Sequence, residues 1–312
     1  MPLDPPPTKS PLRCRIWPAN CYYVSPQNRL LYCPIAKVAC TSLKVWWVQN
    51  ECASLAGEDP ETLRPHRKPH RQFRYEHYAD ELGDEPLDDP RWFRFAFVRN
   101  PWARLVSAFV NKFVIWHGDT GGMLLNEFRR ALPRRIAEQI VRNPDPANVL
   151  APWWLLRSSA AWIEHFTFRQ FVNHLATCNL VEADPHWRPQ AEFLGPFDFH
   201  FIGRFEHLSR DFTELSRLLG RQVALPRFNS STYDADDQAG ECVADWPLCR
   251  LRKLPAAPHF RRFYTPLLAQ TVGRLYTADV ERFGYEFDRE TAAGGLVEPS
   301  AAAGELPLTR AA

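Results

Sequence analysis

Leu30-Leu31-Tyr32-Cys33-Pro34-Ile35-Ala36-Lys37-Val38-Ala39-Cys40-Thr41-Ser42-Leu43-Lys44 is the stretch on which the fold turns. Leu30 to Ile35 is a short apolar run that reads as a buried strand. A tight loop follows, and Leu43 to Val48 reads as a helix. Such a junction suits an anion, because the first helical N–H groups have no intrahelical partner and the helix dipole is positive there. Lys37 and the hydroxyls of Thr41 and Ser42 add charge and donors at that point. It is not a Walker A loop, which needs G-x-x-x-x-G-K-[ST]; Lys37 precedes the turn and no glycine is present. Taken alone, the stretch is explained equally well as a capped helix with a chance lysine.

A second junction lies sixty residues on. Phe93-Arg94-Phe95-Ala96-Phe97-Val98 is aromatic-rich and suits a central strand. It leads into Arg99-Asn100-Pro101, with Pro101 at the first position of a helix running to about Phe113. That helix presents Trp102, Leu105, Val106, Phe109 and Phe113 to the core, and turns Ala103, Arg104, Ser107 and Asn111 the other way. Arg99 therefore sits at the carboxyl end of a buried strand, where ligands of open α/β sheets collect. An arginine fork with a serine hydroxyl forms a clamp for phosphate. An unpaired arginine beside so apolar a strand would be costly without an anion.

Strand and helix signals keep alternating. Thr167 with Gln170 forms a capping box ahead of a helix through Phe171, Val172 and Leu175. Phe199 to Gly203 reads as a strand, and Ser209 as the cap of a helix closed by Gly220. Thr265-Pro266 starts the last helix and Gly284 ends it. The alternation predicts an α/β fold with a central parallel sheet, since parallel strands need crossover connections. Residues 1–13 are Pro-rich and 291–312 are low-complexity; both read as disordered, with one domain over 14–290 between them.

The whole chain sets limits. Its 312 residues carry a formal charge of only +2, so no global field recruits nucleic acid and any basic site is local. Of the 38 basic residues only six are lysines (9, 37, 44, 68, 112 and 253), which makes the pair at 37 and 44 conspicuous. The start lacks a secretory signal, and no run reaches the ~18–20 apolar residues of a membrane span. Peripheral association with a membrane stays open. The eight cysteines show no C-x-x-C pair and no zinc spacing, so they read as free thiols of a reducing, cytoplasmic setting, with no metal expected.

Together, the two junctions resemble the carbohydrate sulfotransferases that use 3′-phosphoadenosine-5′-phosphosulfate (PAPS), most nearly those acting on chondroitin and dermatan. The resemblance continues through His186-Trp187-Arg188-Pro189-Gln190, similar to that family's H-W-x-P segment, and Phe201-Ile202-Gly203-Arg204-Phe205-Glu206. It ends on Leu275-Tyr276, Asp279 and Phe283-Gly284-Tyr285-Glu286-Phe287, covering roughly 30–288. It implies a P-loop-like three-layer α/β/α sandwich and sulfuryl transfer from PAPS to a carbohydrate hydroxyl. It implies Lys37, Cys40, Thr41 and Ser42, with Lys44, on the 5′-phosphosulfate, and Arg99 and Ser107 on the 3′-phosphate. The chain lacks the cysteine pair that Golgi members carry before the strand, having Phe193-Leu194-Gly195-Pro196-Phe197 there, and it lacks their N-terminal anchor. Both departures fit a cytoplasmic, bacterial-type relative and leave the acceptor open.

The chemistry also needs a base of near-neutral pKa for the acceptor proton. Several relatives use a histidine between the two nucleotide motifs, which here means His77, His70 or His66. His77 stands nearest the strand leading to Arg99 and is the first choice; His186 is the second, and Glu76 or Asp80 is the carboxylate alternative. The basic run Arg64 to Arg74 reads as a solvated loop or a grip on an acidic glycan. The pairs Trp46-Trp47 and Trp153-Trp154 read as core rings or as the lining of a sugar site. Two other functions stay open: a P-loop-type phosphotransferase, disfavoured by the missing glycines, and a non-catalytic nucleotide- or glycan-binding protein. Oligomeric state is not encoded in any of these features.

Overall fold

The computed structural model describes residues 12–52, 57–65, 70–115, 162–221, 225–226, 228 and 240–288. The expected terminal segments, His66, Lys68 and Trp153-Trp154 fall outside or almost wholly outside them.

Four strands form one sheet among the described residues, in the order β1 (Tyr23–Ser25), β2 (Leu30–Cys33), β3 (Phe93–Val98), β4 (Phe201–Arg204). β2, β3 and β4 are parallel, with Leu30 opposite Phe93 and Phe95 opposite Phe201. The sheet is not wholly parallel, however. β1 runs antiparallel to β2, pairing Tyr23 with Tyr32. A link of four residues, 26–29, is too short for a crossover helix, so the chain folds back as a hairpin. The fold is α/β with a mixed sheet.

The helices are α1 (Cys40–Glu51), α2 (Ala79–Leu82), α3 (Glu85–Asp88), α4 (Pro101–Phe109), α5 (Phe168–Leu175) and α6 (Gln190–Leu194). α7 (Leu208–Leu218), α8 (Leu248–Leu251), α9 (Pro266–Leu275) and α10 (Thr277–Phe283) complete the set. Most boundaries follow local chemistry. Thr167 and Gln170 close the expected capping box on α5, and Thr265 accepts from Leu268 N at the start of α9. Ser209, expected as a cap, lies inside α7, which continues from a 3-10 turn over Phe205–His207. None of these helices is long and apolar enough to cross a membrane.

The core is aromatic. Phe95 stacks on Tyr32 at 5.1 Å between ring centroids, and Trp46 meets Phe212 edge-on at 5.4 Å. Trp46 and Trp47 are fully buried, so they pack the sheet and line no sugar site. Gly203 is required where β4 crosses the Phe97 ring: a Cβ there would lie 2.4 Å from a ring carbon. Because β2, β3 and β4 are parallel, their carboxyl ends lie at one edge, and the loops leaving them meet there.

Candidate active site

The loop from β2 to α1 takes two left-handed residues, Lys37 at φ 67° and Ala39 at φ 48°, with no glycine to ease them. Such a backbone costs roughly 1–2 kcal/mol per residue and persists only when its surroundings fix it. Ala39 is the residue before α1 and has no side-chain oxygen to cap it. The first N–H groups of that helix, from Cys40 and Thr41 onward, therefore have no side-chain cap at the loop. The buried Ser42 Oγ accepts a bond from Phe228 N at 3.3 Å. Lys44, a turn further along, is directed to β1, its Nζ 5.4 Å from the Tyr23 ring centroid.

Arg99 leaves the end of β3 and reaches this loop: its Nη1 donates to Lys37 O at 3.2 Å. Its guanidinium lies 4.2 Å from the Phe205 ring centroid, on the turn leaving β4. Arg99 is 7% exposed, and its Nε is buried with no partner among the described residues. Its backbone is held by Gln190, whose Oε1 accepts from Arg99 N at 2.8 Å and whose Nε2 donates to Arg99 O at 2.7 Å. Asp279 of α10 in turn accepts from Gln190 N and Ala191 N, at 2.9 and 2.7 Å. The distant H-W-x-P segment and the closing helix thus converge on Arg99.

α4 starts as expected on Pro101, with Asn100 Oδ1 accepting from Trp102 N and Ala103 N. Its outer face is not exposed, however. All nine residues of α4 are buried, Arg104 and Ser107 among them. At Val110–Val114 the helix widens into a π turn, a form frequent at functional sites. The wider turn alters the helical register, and Lys112 comes within electrostatic reach of Lys37. Burial first, then the charges of Arg99, Lys112 and Arg104 against the opposing Cys40, pull the Lys37 ammonium down to about 8. Lys112 drops out of a sequence reading, because an α-helical wheel does not place it on this face.

Of the candidate bases, the structure brings His186 to this cluster. Its Nδ1 lies 2.6 Å from Asp184 Oδ1, and its backbone N donates to the same oxygen at 2.8 Å. Burial lowers its pKa below the ordinary histidine value, and the charges of Lys112 and Lys37 act in the same direction against Asp184. Asp184 is itself held low: burial would raise it, but the His186 bonds and Lys112 outweigh that. His77 stands elsewhere, on the 3-10 turn Tyr75–Tyr78, half exposed and 4.0 Å from Glu76. His70 is buried against Tyr23 and Phe73, with Nε2 2.7 Å from Leu63 O. Asp80 is exposed and pairs with Arg15.

Against known proteins, residues 20–286 match the model of the sulfotransferase family. Carbohydrate sulfotransferase 12 of Mus musculus is 26% identical over 281 residues, 85% of this chain and 60% of that protein. Carbohydrate sulfotransferase 14 of Danio rerio is 28% identical over 207 residues, 63% and 47% of the two chains. Carbohydrate sulfotransferase 9 of Homo sapiens is 23% identical over 236 residues, 71% and 46%. The chain thus spans about half the length of the curated relatives it matches. No solved structure matches it.

Proposed function

Because this chain belongs to the sulfotransferase family, we propose that it transfers a sulfuryl group from PAPS to a carbohydrate hydroxyl. The observation that carries the reading is Arg99. It bonds the Lys37 loop through Nη1 and keeps a buried Nε without a partner among the described residues, at the sheet edge where both motifs meet. A buried guanidinium N–H without a partner suits an anionic acceptor, because hydrogen bonds from arginine to phosphate are charge-assisted. We read the parallel β2–β3–β4 core with its helices as the centre of a P-loop-like three-layer sandwich.

In this reading Arg99 and Ser107 hold the 3′-phosphate. Lys37, the hydroxyls of Thr41 and Ser42 and the N–H groups from Cys40 onward hold the 5′ side. Lys44 lies over Tyr23 and is outside the set. The donor supplies a sulfuryl group whose transfer forms one S–O bond to the acceptor and breaks the one to the 5′-phosphate. His186 Nε2 takes the hydroxyl proton, while Asp184 accepts from Nδ1 and holds the ring in that tautomer. The lowered pKa keeps His186 in its basic form at neutral pH. Lys37 meets the negative charge that gathers on the departing phosphate oxygen. A carbohydrate acceptor is supported by the similarity to carbohydrate sulfotransferases 12 and 14.

The test is incubation with labelled PAPS and a panel of glycans, with label transfer read by mass spectrometry. Transfer to a glycan is expected. Phosphate transfer from ATP without sulfuryl transfer would replace this reading with the phosphotransferase.

A further inference from the structure

We propose that Arg104 is a positioning residue that sets the Lys37 loop against the His186 segment, an inference that rests on the sulfotransferase reading. The geometry is specific. Arg104 Nε donates to Ala36 O at 2.9 Å, Nη1 to Arg188 O at 2.8 Å and Nη2 to Pro185 O at 3.1 Å. Ala36 is the residue before Lys37, and Pro185 is the residue before His186. One planar fork therefore fixes both backbones at once, next to the ammonium and the imidazole that have to face the same sulfuryl group.

Arg104 is 1% exposed, and all three bonds go to carbonyls rather than to a carboxylate. A buried cation of this kind adds little stability that well-packed apolar residues could not supply. What an apolar side chain cannot do is fix the separation of two loops. Arginine's rigid donors can, and a lysine's single ammonium cannot reproduce the fork. The loop needs such a hold, because Lys37 and Ala39 beside it are both left-handed. Arg104 also sits between Arg99 and Ser107 in the chain, so the helix that carries the 3′-phosphate residue Ser107 also carries the brace.

The experiment compares Arg104→Lys and Arg104→Gln with the wild type, each alone and on top of His186→Ala. Loss of alignment should cut kcat by about 100-fold, while the affinity for adenosine 3′,5′-bisphosphate falls by much less than that, since Gln190 still holds Arg99 on the 3′ side. In the His186→Ala background the same substitutions should cost far less, as expected of residues that share one function. An equal cost in both backgrounds, or a loss of bisphosphate affinity as large as the loss of kcat, overturns the proposal. So does melting of both variants below the assay temperature, which makes Arg104 a support of the fold alone. A wild type that transfers no sulfuryl group overturns the underlying reading instead, whatever the variants do.

Discussion

Asp184 grips His186 twice, once at the ring Nδ1 (2.6 Å) and once at the backbone N (2.8 Å), through the same carboxylate oxygen. That leaves Nε2 as the basic nitrogen. Burial and the charges of Lys112 and Lys37 hold the ring's pKa below its ordinary 6.5, so the rate should stay level at neutral pH. It should fall only as pH drops through a midpoint below that value. His186→Ala should lower kcat by ~10²–10⁴, the usual contribution of a general base. His77→Ala should stay near wild type. Rates read across pH decide it: an acid limb that survives in His186→Ala and vanishes in His77→Ala reverses the assignment.

Lys37 gives a second pH signature. At about 8, the ammonium is partly deprotonated in mildly alkaline solution. An anion bound beside it favours the charged form, so adenosine 3′,5′-bisphosphate should bind with proton uptake above pH ~8, where its own phosphates are already ionised. Its affinity should weaken as pH rises through that point. Calorimetric titration in buffers of different ionisation heat measures the proton count. Lys37→Met should abolish the uptake, and unchanged uptake in that variant removes Lys37 from the anion site.

The sequence made the two junctions legible because their signals are local. A strand end, a lysine, two hydroxyls and a Pro-started helix need no distant partner to be recognised. β1 was not legible, since Tyr23–Ser25 is only three residues and gains its role by pairing with Tyr32 on the next strand. Arg104 fell on the polar side of a helical wheel, which cannot show that backbone carbonyls bury it. Proximity along the chain favoured His77, whereas it is the return of 184–190 to the end of β3 that brings a histidine, His186, to the two junctions. The π turn hid Lys112 by changing the register on which the wheel relies.

Under the proposed reading, Arg99 should separate the two phosphate subsites. Assigned to the 3′-phosphate, Arg99→Ala should weaken adenosine 3′,5′-bisphosphate by about 1.5–3 kcal/mol, the worth of a charged hydrogen bond. Adenosine 5′-monophosphate, which lacks that phosphate, should lose much less. Titrating both ligands against both proteins is sufficient. Equal losses would take Arg99 away from the 3′ end.

Gln190 should prove a residue of stability as well as of binding. It is fully buried and spans Arg99 N and Arg99 O as a neighbouring strand would, while its Nε2 also reaches Asp279 at 3.1 Å. Gln190→Leu keeps most of the volume but leaves both Arg99 backbone groups unpaired in the interior, at about 1–3 kcal/mol each. The melting temperature should drop by several degrees, and bisphosphate affinity should fall because Arg99 loses its support. Gln190→Glu is the sharper probe. Its carboxylate still accepts from Arg99 N but cannot donate to Arg99 O, and it sits beside the Asp279 carboxylate. Burial and that neighbour raise its folded pKa above the unfolded value, so the folded state binds the extra proton. The deficit relative to wild type should therefore be large at neutral pH and shrink as pH falls toward the unfolded carboxylate range. Thermal melts of the three proteins at neutral and mildly acidic pH read this directly. A Gln190→Leu protein that melts with the wild type, or a Gln190→Glu deficit that does not move with pH, would show that the Arg99 backbone has found another partner.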